Sequence, residues 1–166
     1  MWTSGKDRFA GCLPGGAKSE ALQSTFQGKP VLFFIERSNN DNTVVYEADW
    51  SNAADPVKVY WIMYSNSPVN EEGLTMIERN TAYGSKTEKA GAGWSLSLSA
   101  LPSKKITVSK GPNGELSAST LINGAEMQLV SIYVKSTTSW GMPSVEYIDV
   151  KGKGKDGAFV TERIKT

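Results

Sequence analysis

The chain reads as mostly β: an antiparallel meander barrel or sandwich of about nine strands with one short helix. Three stretches carry that expectation. Residues 30–50, PVLFFIERSNNDNTVVYEADW, set two apolar runs around a polar cluster, which is the pattern of a hairpin. Trp94-Ser95-Leu96-Ser97-Leu98-Ser99 alternates strictly, as a strand with one wet face requires and a helix would scramble. Asn123-Gly124 is the strongest two-residue reversal signal, because a type I′ turn needs positive φ at both positions. Short reversals join antiparallel neighbours, and that many strands in one domain must close or stack to hide their edges. The dominance of consecutive hairpins leans toward the barrel.

The first hairpin is the expected centre of the sheet. Val31, Leu32, Phe33, Phe34 and Ile35 are apolar on both alternating sets, so this strand should be covered on two sides. Residues 38–42 offer short polar side chains that bond their own backbone and reverse the chain, and residues 43–47 return as a strand. Residues 57–64 form a third strand and 66–73 a turn-like connection. Thr75 and Glu78 fit a reciprocal capping box, with Gly84 as the stop, which predicts the helix over 76–83. Further strands are expected over 94–99, 106–110, 115–122, 127–135, 145–151 and 159–164. Ahead of this β domain of residues 30–166, residues 1–29 are broken by Gly5, Gly11, Pro14, Gly15, Gly16 and Gly28. They read as an extended arm with one marginal helical turn after Ser19.

Composition excludes more than it assigns. Eighteen basic and 17 acidic residues leave a net charge of +1, with none of the basic striping that marks a nucleic-acid surface. Apolar runs stop far short of the roughly 20 residues that cross a bilayer. With one cysteine, Cys12, and no histidine, no internal disulfide and no ordinary zinc site can form. No cofactor or metal is expected, and reducing, intracellular surroundings fit best. Phe9-Ala10-Gly11-Cys12 has the outline of a lipoprotein cleavage box, but the preceding MWTSGKDR is charged and short where a signal peptide is apolar.

Glu-Arg recurs at Glu36-Arg37, Glu78-Arg79 and Glu162-Arg163. In a strand, adjacent residues point to opposite faces, so the inward charges could meet. Glu36, Arg37, Glu78 and Arg79 are expected to form a structural polar network, with a carboxylate site at Glu36 and Arg37 as the less favoured catalytic reading. Glu47 with Asp49, and Glu71 with Glu72, are weak carboxylate pairs beside turns. Residues 152–157, GKGKDG, share only glycine content with a phosphate loop. Without histidine or a nucleophile in a recognisable setting, most hydrolytic triads are excluded; carboxylate-only mechanisms stay open, and the expected reading is not an enzyme. Tyr60, Trp61, Tyr133 and Tyr147 either fill the core or line a cavity for a small apolar ligand. Trp140 and Met142 lie in an expected loop, residues 136–143, where an exposed Trp and Met would make a partner-binding anchor.

Three motifs carry a family resemblance: I-E-R-S-x-N-x-N-x-V-x-Y over residues 35–46, Y-W-I-x-Y over 60–64, and L-T-x-I-E-R-x-x-A-Y-G over 74–84. In them the chain resembles a family of domains of unknown function, over about residues 30–165, for which no activity is implied. More loosely, it resembles small β-rich accessory subunits on the soluble face of algal photosystem I. That second resemblance implies a glycine-rich arm threading between partners, and a place in the plastid stroma at the thylakoid surface. The expected function is that of a non-enzymatic accessory subunit. It would dock on a larger, membrane-associated protein assembly through Trp2, Phe9, Phe26, Trp140 and Met142. The alternative is a β-barrel that binds a small apolar ligand.

Overall fold

A computed structural model of the chain describes Phe26 and residues 29–52, 54, 56–64, 70–75, 83–112 and 114–165. Among these residues are eleven strands: β1 (Val31–Arg37), β2 (Asn40–Ala48), β3 (Val57–Met63), β4 (Asn70–Gly73), β5 (Ser85–Ala90), β6 (Gly93–Leu98), β7 (Leu101–Lys110), β8 (Leu116–Ile122), β9 (Ala125–Ser139), β10 (Met142–Lys153) and β11 (Phe159–Lys165). All belong to one sheet, in the order β4-β3-β2-β1-β9-β8-β7-β6-β5, with β10 and β11 joined through β9. Neighbours are antiparallel apart from β1 and β9, which run parallel.

The 15-residue β9 makes this architecture. Ala125 to Gln128 pair with β8, Ser131 to Val134 pair with β1 along the same edge, and β10 takes the opposite edge. One edge shared end to end by two strands splits the sheet into two arms, β1 to β4 and β8 to β5, and the sheet curls into a half-barrel. The expected barrel and sandwich thus meet in one form. The arms are continuous through β9, and their inner faces share a core that includes Phe33, Tyr46 and Trp61 from one arm with Leu96, Ile106 and Val108 from the other.

The centre of the sheet lies where the apolar run places it. Val31 to Ile35 are at most 3% exposed, because β1 is flanked by β2 and β9 and covered on both faces. Inside, Phe33 stacks on Tyr46 with ring centroids 4.5 Å apart. Outside, Phe34, Val45, Ile62 and Val130 form a second cluster together with Phe26, whose ring centroid is 5.7 Å from that of Phe34. Each such side chain contributes about 1.5–3 kcal/mol through burial. Phe26, expected to face a partner, therefore packs on its own sheet. The remainder of the arm, residues 1–25, 27 and 28, including Trp2 and Phe9, lies outside the described residues.

Other differences have local causes. The reversal after β1 needs only Ser38 and Asn39, and Asn40 is already paired with Arg37, so the polar cluster is half turn and half strand. β4 and β5 carry no apolar alternation and each has a single strand neighbour; charged, short edge strands of this kind guard a sheet against further pairing. Of the expected helix over 76–83, only Tyr83 is described, and it is buried; Glu78 and Arg79 fall outside. Asn123 and Gly124 have φ of 50° and 83°, the type I′ pattern that their sequence specifies.

Candidate functional site

Tyr83 is where the three motifs meet. The Arg37 guanidinium donates through Nη1 to the Tyr83 hydroxyl, and its central carbon is 5.4 Å from the Tyr83 ring centroid. Tyr46 donates its hydroxyl to the Tyr83 carbonyl at 2.8 Å, and Trp61 meets the Tyr83 ring edge-on at 5.1 Å. Burial, and then the neighbouring Tyr83, push the Tyr46 hydroxyl well above the ordinary tyrosine range, so it remains a neutral donor. A ring gripped at its carbonyl, face and hydroxyl is a fixed partner for Arg37.

Beside this cluster, between the arms, lies a cavity of about 260 Å³. Alternation builds its wall. Ile35 and Arg37 of β1 point the same way, and their parallel-register partners Ile132 and Val134 of β9 continue that face. Ile148, opposite Val134 on β10, extends it. Leu98, Ala100 and Leu101 close it from the β6–β7 turn. Among the described residues Arg37 is the only charged side chain on this lining, and its Nε is buried without a hydrogen-bond acceptor. Among the described residues no carboxylate pairs with it. Arg37 as a whole is half-buried, but a guanidinium nitrogen out of water without an acceptor is costly unless an acceptor completes it, and an anion does so best. The cavity is apolar with one cationic corner.

The described members of the recurring Glu-Arg pairs do not meet. Glu162 accepts from the Asn123 backbone N–H at 2.6 Å and from Lys104 at 2.9 Å, and these bonds, the Asn123 one foremost, hold its carboxyl below the usual carboxylate range. Arg163 grips Asp149 with two bonds of 2.9 and 3.0 Å and lies 3.8 Å from the Tyr147 ring centroid. Glu36 projects to the face opposite Arg37, near Tyr64, whose hydroxyl is raised above its ordinary value mainly by burial. None of the aromatics expected around a ligand, Tyr60, Trp61, Tyr133 and Tyr147, lines the apolar cavity. Tyr83 does; as the last residue of the expected helix it reads as a side chain packed on the sheet, and it is buried, but its place on a cavity wall is not legible from that. A larger cleft of about 530 Å³ runs along β3 and β4. Its walls carry Lys58, Glu71 and Glu72, and with Glu71 already paired to Lys29 it is a wet groove without converging apolar walls.

The second feature is external. β9 and β10 remain paired up to Ser139 and Met142, whereas β1 leaves β9 at Val134. Ser38, directly after β1, still bonds the Ser136 backbone, and the three residues beyond it, at about 3.4 Å each, carry a two-stranded ribbon roughly 10 Å past that last tie. The expected loop over 136–143 is thus a hairpin tip, turned by Trp140 and Gly141 at φ of 55° and 75°. Trp140 is 99% exposed and Met142 70%. Residues 136–145 contain no charged side chain. Left-handed backbone is rare for a bulky residue, so Trp140 is placed at a cost and buries nothing.

Among the described residues no helix is long and apolar enough to cross a membrane. No curated protein and no solved structure matches the chain. The model for a domain of unknown function, DUF4833, matches residues 33–163. That span takes in both arms, the Arg37–Tyr83 cluster and the Trp140 hairpin, and the chain belongs to this family.

Proposed function

We propose that the chain is a non-enzymatic accessory subunit that docks on a larger protein assembly through the β9–β10 hairpin. The observation that carries this reading is Trp140, 99% exposed at a projecting uncharged tip with Met142 beside it. Trp is among the side chains that dominate the energetics of protein contacts once desolvated, and Met is enriched at such contacts. The soluble face of an algal photosystem I, in the plastid stroma, is the partner that the sequence resemblance nominates. The two-face packing of β1 supports the role of a rigid platform, because it holds the base of the ribbon.

The test is site-specific photo-crosslinking in extracts of the native cell, with the crosslinking side chain at position 140 and, in a second protein, at position 121. Leu121 is 56% exposed on β8 and away from the tip. Adducts to one assembly from position 140 and not from 121 are expected, with photosystem I subunits as the nominated adducts. Equal labelling from both positions, or none from 140, overturns the docking role; an adduct with another assembly retains the role and overturns the photosystem partner.

A further inference from the structure

We infer that the cavity at Arg37 is a binding site for a small monocarboxylate, whose carboxylate pairs with the guanidinium while its hydrocarbon part fills the space between the arms. This site is separate from the hairpin tip. Three observations converge on it. Ile35, Ile132, Val134 and Ile148 make the lining apolar, and none of them carries a group that could satisfy a polar ligand. Arg37 brings the one charge among the described lining residues, with Nη1 directed to Tyr83 and Nε buried without an acceptor. Five N–H donors in a planar fork suit a carboxylate approached on two nitrogens, and Tyr83, fixed by Tyr46 and Trp61, holds that fork in place.

Size sets the ligand class. At roughly 30 Å³ per water-sized group, about 260 Å³ accommodates roughly nine non-hydrogen atoms. That suits a short aliphatic or a single-ring acid, and is below the usual 300–1,000 Å³ of sites for larger ligands. A long acyl chain would leave part of itself outside. A neutral ligand of the same size would fill the space and leave the cation unpaired. The sign of the charge is therefore the specificity element.

The experiment is calorimetric titration of the full chain with hexanoate and benzoate, each against its alcohol, 1-hexanol and benzyl alcohol. The unaltered protein should bind each acid about tenfold or more tighter than the matching alcohol, as a charge-assisted pair implies. Arg37→Gln should weaken acid binding by about 10- to 100-fold and change alcohol binding by less than about threefold. Ala100→Phe, an exposed turn position on the lining, should weaken both acid and alcohol by filling the cavity. Equal affinity for acid and alcohol, absence of acid binding, or an undiminished acid preference in Arg37→Gln overturns the inference. The comparison of acid with alcohol on the unaltered chain needs no variant, so it decides the matter even where a substitution unfolds the protein.

Discussion

Two reversals in this molecule have the same backbone and opposite side chains. Asn123-Gly124 joins β8 to β9 and Trp140-Gly141 joins β9 to β10, and all four residues have positive φ, between 50° and 83°. Asparagine tolerates that region because its short polar side chain can bond locally, whereas a bulky side chain costs roughly 1–2 kcal/mol there. At Asn123 the turn is also tied down, since its N–H binds Glu162 of β11. At Trp140 the indole is bare to solvent. The first turn uses the residue that folding favours. The second retains one that folding penalises, and such an exception is informative because natural sequences are otherwise locally consistent.

The largest effect belongs to a residue that serves folding alone. Phe34, fully buried at the sheet centre, should cost about 3–5 kcal/mol when truncated to Ala, read as a lower urea midpoint. Next comes the side chain proposed to dock: Trp140→Ala should weaken association with the assembly that position 140 is expected to label by about 2 kcal/mol or more, roughly 30-fold. A smaller change should follow when the turns are made alike. Asn123→Trp should lower stability by about 1–2 kcal/mol, because it imports the backbone penalty of Trp140 into a turn with no proposed contact; an unchanged midpoint would show that the two turns are equivalent.

The smallest effect tests the tether of the first turn. Glu162→Gln should cost about 0.5–1 kcal/mol at neutral pH, a modest figure because the pair is partly solvated. The folded-state pKa of Glu162 lies below its unfolded value. Its stabilisation is therefore complete above about pH 4.3, the ordinary glutamate value, and is lost as pH falls through the lower folded value. The variant and the parent should converge in stability once the pH has fallen below that lowered value, and a gap that persists in acid would mean the carboxylate charge is not what matters.

Much of the body was legible in the chain, and the reasons are local. Val31 to Ile35 announce a strand buried on both faces, Asn123-Gly124 states its turn type, and the serines of residues 94–99 mark a wet face. β4 and β5 were not legible, because an edge strand has no buried face to impose alternation and SKTEKA reads as a charged connection. The branching at β9 was hidden for another reason. Its 15 residues read as a single strand ending near Lys135, and nothing in a sequence says that one edge will be divided between β8 and β1. The cavity was hidden too. Arg37 draws attention through its Glu-Arg repeat, yet it lacks a carboxylate partner among the described residues, and Tyr83 reaches it across 46 positions. The exposed tip was readable from composition, whereas the strained Trp140 backbone required coordinates.

The most direct measurement is the urea unfolding midpoint of Trp140→Asn against the parent chain. If Trp140 is retained for contact and not for folding, replacing it with the residue suited to a left-handed turn should leave stability unchanged or raise it by about 1 kcal/mol. A fall of about 1 kcal/mol or more would contradict that, because it would make the indole a structural element of the fold.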